Sequence, residues 1–344
     1  MEQIVRGITI IALMLVQGIT ALCQERLVSP VDKTIDIDAS LKNVTLREVG
    51  TFNDKTTMSY VADNSILVEI LETKMGGPVV LLRNLHSGKT RALYKYGSGR
   101  KQLLAVQPHL DGNKLLLNDF IKKEVYIVDI NKALRRKHYC PRSTKVKVET
   151  QYMIPGRGKS IMILNPASFD SGVARSVTVK RPYVYKQKDS EAMHAFNVMH
   201  GILLRNAMNE GYCYIDQHEG LLEFWETGEK LVTRIHVETP YKAEYREINN
   251  GSLIFRGGIP FSFLAGAANK ERIALLFDPH KMVRGERTGY KRPLVLFFDW
   301  EGNSCGTLEV SGDVRPNAIS LSDDGRLTLM ACEGEVLHVF ECTM

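Results

Sequence analysis

Pro293–Val310 reads PLVLFFDWEGNSCGTLEV. An apolar and aromatic run ends at Trp300, a Glu-Gly-Asn turn follows at residues 301–303, and a second run continues to Val310. Two strand-like runs split by a short Gly/Asn turn are the strongest short-range hairpin signal a sequence carries. The unit recurs upstream, as VVLLRNLHSGKTRALYKYG from Val79 and as GLLEFWETGEKLVTRIHV from Gly220. No stretch shows a long 3.6-residue apolar period. Helix is expected only in short connections such as Asn131–Lys137, so parallel α/β folds and helix bundles fit poorly.

Outward from this hairpin, strand-like runs fall into groups. Four runs each lie in Met58–Tyr96, Leu103–Tyr152, Gly201–Val237 and Phe261–Val310. A weaker third group spans Ser160–Ala195, and a sixth has three runs, Ala318–Leu321, Arg326–Ala331 and Val336–Glu341. The alternating run Leu41–Val49 has no adjacent hairpin partner and supplies the missing fourth. The pattern predicts an all-β, six-bladed β-propeller closed by an N-terminal strand completing the last blade. Closure removes edges that would otherwise invite aggregation.

The 344 residues are 44% hydrophobic and 24% charged, a globular balance. Arg6, the apolar run Ile8–Val16 and small residues up to Cys23 have the layout of a signal peptide. Nine apolar residues are too few to span a bilayer. Cleavage before Gln24 is expected, and acylation of Cys23 is the alternative and the one route to a membrane. The predicted organisation is a signal peptide at 1–23, a lead-in at 24–40 and a single propeller domain at 41–344, exported to the periplasm or cell surface as a monomer. The cysteines, Cys23, Cys140, Cys213, Cys305, Cys332 and Cys342, show no CxxC or metal spacing and read as small buried hydrophobes. A Cys332–Cys342 disulfide on neighbouring strands is the alternative.

The FFDWEGN hairpin at Phe297–Asn303 and the PGRGKS step at Pro155–Ser160 resemble motifs of the TolB-like six-bladed propeller family of Bacteroidetes, a group of exported proteins. The resemblance spans most of residues 40–342. It implies a fold and a compartment, and brings no activity and no catalytic residues.

Residue chemistry points away from catalysis. Gly156–Ser160, GRGKS, lacks the Gly of a phosphate loop at position 153, which is Met, and is followed by strand-like IMIL. Asp216, His218 and Glu219 would suit a metal or acid–base work, but they fall in a short turn and read first as a solvated polar tip. His109 and Asp111 flank a leucine at a turn, His194 and His200 are six apart, and Asp278-Pro279-His280 begins a loop; none has catalytic spacing. No GxSxG is present. Trp225 and Trp300 read as packing residues.

In a four-stranded blade, the turn between the second and third strands emerges with the blade-to-blade links. Lys122 and Lys123, Lys281, Arg284, Arg287, Lys291 and Arg292, Arg100 and Lys101, and Arg157 and Lys159 all fall in such segments. Even against Glu286, they carry more positive charge than the whole chain's +6. Asp216, Glu219, Glu333 and Glu335 oppose them on the same face. Charged residues fill turns in any case; the functional reading is an anion-attracting surface, with the long 279–292 loop as its centre. The expectation is therefore a non-catalytic binding or scaffolding propeller that recognises an acidic glycan or protein, with no cofactor, no resident metal and no nucleic acid. The rival is a hydrolase or sugar oxidoreductase holding Ca²⁺ in the channel, with Asn118, Asn165 and Asn206 as scattered candidate ligands.

Overall fold

The computed structural model describes residues 31–344 apart from 36, 38–40, 63–64, 100, 140, 142, 146–151, 156–160, 165–175, 180–200, 210, 227–229, 248–252, 290–291, 311–313 and 344. The chain is an all-β propeller. Its first sheet runs up and down through Thr56–Ala62, Ile66–Leu71, Pro78–Asn84 and Thr90–Tyr96, with a short fifth strand at Gln102–Leu103. The second comprises Val106–Asp111, Lys114–Asp119, Glu124–Asp129 and Ser143–Lys145. Between its last two strands lies the helix Ile130–Arg135, started by Asp129, whose side chain accepts from the amide of Lys132. Tyr152–Pro155, Ile161–Leu164 and Ser176–Val179 form the third sheet, the last pair parallel. The remaining expected strands of that group lie outside the described residues. The fourth sheet holds Gly201–Arg205, Tyr212–Asp216, Leu221–Glu226 and Lys230–Val237, with Val31–Ile35 from the expected lead-in at its outer edge.

The six separate blades expected from the sequence are corrected here. The last two groups are one nine-stranded sheet, so the described strands build five blade-like sheets and a two-stranded hairpin, Tyr245–Glu247 with Leu253–Phe255. The joining strand is Leu41–Phe52, twelve residues long rather than the nine expected. A strand has an open hydrogen-bonding edge on each side. Here residues 41–44 pair in parallel with Thr307–Val310, and residues 45–52 pair antiparallel with Val336–Thr343.

The core explains why the first strand of the Pro293–Val310 hairpin is apolar without interruption. Side chains alternate across a strand, and both faces of Leu294–Asp299 are buried. Val295 and Phe297 pack with Ile319, Leu327 and Leu329, whereas Leu296 and Phe298 pack with Phe224 and Ile235 of the fourth sheet. The first sheet is sandwiched in the same way. Ile66, Val68 and Ile70 face Leu115 and Leu117 of the second sheet, and Leu67 faces Met330, Leu337 and Val339. At the Glu-Gly-Asn turn, Asp299 accepts from the amides of Glu301 and Asn303, and Gly302 has φ +79°. Its missing side chain leaves room for Ile235 and Thr233, which a Cβ would approach to 3.1 Å.

No Cys332–Cys342 disulfide forms. Cys332 pairs with Leu337 and Cys342 with Leu327, at opposite ends of one hairpin, and both thiols are free.

Candidate functional site

The turns joining second to third strands share one end of a propeller, and among the described residues Asp216–Gly220 and Lys281–Thr288 belong to such turns. Asp216–Gly220 does not form the solvated tip expected of it. Asp216 and His218 are buried, at 3% and 2% exposed, because the chain leaving the fourth sheet folds back over the turn. The Asp216 carboxylate accepts from the amides of His218 (2.7 Å) and Glu219 (3.0 Å). His218 Nδ1 donates to the Pro260 carbonyl (2.5 Å), and the Ser262 hydroxyl donates to the His218 carbonyl. Tyr245 donates to Glu219 at 2.8 Å.

These contacts assemble a ladder of rings that the sequence did not suggest. Tyr245 lies against Phe255 (5.3 Å), Phe255 meets His218 edge-on (4.7 Å), His218 leans on Phe261 (5.1 Å), and Phe261 stacks on His280 (5.1 Å, 13° between planes). Such contacts are worth roughly 0.5–1.5 kcal/mol each beyond area burial. His280 in turn donates to the Asp278 carbonyl. Burial, then the charges of Arg287 and Arg315, hold the His280 imidazole below its ordinary pKa despite that bond.

The long loop expected at 279–292 is also corrected. The strand Arg272–Val283 runs straight through Asp278-Pro279-His280 and turns back at Arg284-Gly285 into Glu286–Thr288. An Asp, a Pro and a His that read as loop starters are here buried strand residues, because the ring ladder and an ion pair hold them. Arg287 is bound to the fully buried Asp278 carboxylate. Arg292 pairs with Glu309 at 3.0 Å. Lys122 donates to the carbonyls of Gly99 and Gln102, so it ties two segments together. Lys281 is half-buried on the hairpin stem, Arg284 is exposed at its tip, and Lys101 is exposed on its link. Arg100, Arg157, Lys159 and Lys291 lie outside the described residues.

At the channel, inner strands carry Tyr60, His109, Asp111, Arg205 and Ser320 around one depression. Arg205 grips Asp111 at 2.7 Å, and Ser320 accepts from the Val61 amide. Burial pushes His109 down to about 4 from its ordinary 6.5, outweighing its bond to the Leu203 backbone. A folded value below the unfolded one means that the folded chain binds fewer protons as pH falls through that window. Stability is therefore held above about pH 6.5 and lost by up to about 3 kcal/mol on the way to pH 4. His109→Gln is expected to narrow the gap between urea midpoints measured at neutral and acid pH; an unchanged gap would assign the acid loss elsewhere.

The polar groups at both places mostly hold other parts of the chain. Among the described residues, no three His, Cys, Asp or Glu side chains stand where they could share a metal ion. Asn118 is the penultimate residue of the second strand of its sheet, whereas Asn206 follows a first strand and caps its own turn through the Met208 amide. They therefore sit at opposite ends of the propeller, and Asn165 lies outside the described residues.

The chain matches no protein-family model and no curated protein. It is similar in fold to a candidate exported protein of Bacteroides fragilis, BF0058, with 8% identity over 92% of this chain and 99% of that one (TM-score 0.52). It is likewise similar to a member of the DUF4221 family from Bacteroides vulgatus, with 11% identity over 88% and 98% (TM-score 0.50). At this identity the likeness is one of fold.

Proposed function

We propose that the chain is an exported, non-catalytic binding propeller that presents the Lys281–Thr288 hairpin to an anionic partner, an acidic glycan or an acidic protein patch. The observation that carries this reading is the division of labour on that hairpin. Arg287 is bound inward to Asp278, which stiffens the stem, while Arg284 at the tip stays exposed. A rigid stalk with a charged end suits recognition, since little ordering entropy remains to be lost on binding. Export is supported by the signal-like residues 1–23 and by the fold shared with the candidate exported protein of Bacteroides fragilis. Kinship with TolB-like propellers remains part of the same proposal and rests on the FFDWEGN turn.

Thermal unfolding with polygalacturonate, neutral dextran and Ca²⁺ tests it. An acidic glycan at about a hundred times its dissociation constant adds roughly 2.7 kcal/mol. The expected result is a salt-sensitive upward shift with polygalacturonate alone, lost in Lys281→Ala/Arg284→Ala. A shift with Ca²⁺ that a chelator reverses, or one with dextran, would overturn the reading.

A further inference from the structure

Seven large hydrophobic side chains are exposed among the described residues, and three of them, Met75 (72%), Phe120 (51%) and Ile121 (59%), belong to neighbouring turns at one end of the propeller. Met75 lies between the second and third strands of the first sheet; Phe120 and Ile121 lie between the second and third strands of the second. Singly exposed hydrophobes are ordinary, but a cluster marks a contact surface. Turn tips are usually Gly, Asn, Asp or Ser, so two consecutive large apolar residues at an apex stand out chemically.

The link between the two sheets makes the turns one surface. Met75 sulfur lies 3.2 Å from where a Cβ on Gly97 would stand, and the Lys122 ammonium donates to the carbonyls of Gly99 (3.0 Å) and Gln102 (2.9 Å). Further bonds hold the apex in place. The buried Asp119 carboxylate accepts from the amides of Lys122 (3.1 Å) and Leu104 (2.8 Å). Phe120 and Ile121 are thus held outward by a built turn. Around them stand Lys74, Lys101 and Lys123, all exposed. The acids nearby in the chain are Glu72, which is exposed, the buried Asp119, and Glu124, which accepts from Tyr126 and lies 3.7 Å from Lys122. The balance is basic.

We infer that this end of the molecule docks on an anionic lipid surface, with Met75, Phe120 and Ile121 entering the headgroup–acyl boundary and Lys74, Lys101 and Lys123 lying among the phosphates. Shape and charge together favour lipid. The apolar groups stand on projecting turns, and a fluid interface adapts to projecting apolar groups flanked by cations. This contact uses different residues from the Lys281–Thr288 hairpin and does not depend on that reading.

Co-sedimentation of the chain beginning at Gln24 decides it, with vesicles of phosphatidylcholine alone and of phosphatidylcholine with phosphatidylglycerol in equal parts. Omitting Cys23 removes any contribution from acylation. Partitioning onto the anionic vesicles is expected to exceed that onto neutral ones by about tenfold or more, and to weaken with salt. Met75→Ser/Phe120→Ser/Ile121→Ser changes only exposed side chains and is expected to fold, with an unchanged unfolding midpoint, while losing most of that binding. Lys101→Glu/Lys123→Glu, which leaves the Lys122 tie intact, is expected to lose it as well. Equal binding to both vesicles, binding to neither, or full binding by the serine variant would overturn the inference.

Discussion

Arg287→Ala is expected to lower stability by about 3–5 kcal/mol, the cost typical of leaving one member of a buried ion pair behind. Asp278 is fully buried, and its carboxylate has Arg287 on one oxygen and no hydrogen-bond donor within reach of the other among the described residues. Removing the guanidinium strands that buried charge near His280, where water cannot readily replace it. Asp278→Asn/Arg287→Met should recover most of the loss, because it takes away both charges at once. Urea unfolding of the two variants measures this directly. If Arg287→Ala costs under about 1 kcal/mol, the value of an exposed pair, the hairpin stem is not held as described. This also bears on ligand binding: the loss of function in an Arg287 variant would report a collapsed hairpin, whereas Arg284 reports the contact itself.

Arg83→Ala is the second large effect, at roughly 3 kcal/mol or more. The guanidinium bonds Glu69, which is fully buried, and also Asp54. It lies 4.3 Å above the ring of Phe52 as well, a contact worth roughly 0.5–2 kcal/mol. Phe52 ends the strand shared with Val336–Thr343, so one arginine ties that strand to the first sheet. Burial raises the Glu69 pKa, and Arg83 is the largest force opposing that rise. The sign follows: a folded pKa above the unfolded one makes stability fall as pH rises through the folded value. Without Arg83 the rise is larger, so the variant should be less destabilised in acid than at neutral pH. Calorimetry at two pH values tests this, and equal losses at both would show that Glu69 does not feel Arg83.

The ring ladder shows where reading a sequence stops. Phe255, Phe261, His218 and His280 come from a small hairpin, a first strand, a turn and a second strand, and no local spacing links them. Asp216, His218 and Glu219 were visible as a concentrated polar turn. That the turn is buried depended on the chain after Val237 folding back over it. The basic residues were visible too, but a charge count cannot tell Arg287, spent on Asp278, from Arg284, left exposed.

What the residues determined by themselves was the all-β class of fold and its recurring hairpins. The unbroken apolar run of PLVLFFD, Gly302 in a turn that needs positive φ, and Asp and Asn at turn starts are local preferences, and each acts within a few residues. The helix at Ile130–Arg135 belongs with them. What only the tertiary structure decided was which strand edges meet and which charges pair. Leu41–Phe52 has two equivalent edges and could satisfy either; the positions of Ser304–Val310 and Val336–Thr343 let it satisfy both, and so merged two expected blades. Hydrogen-bonding edges and charges are satisfied by whatever partner the packed chain brings near, and that partner can lie almost three hundred residues away, as Glu341 does from Arg47.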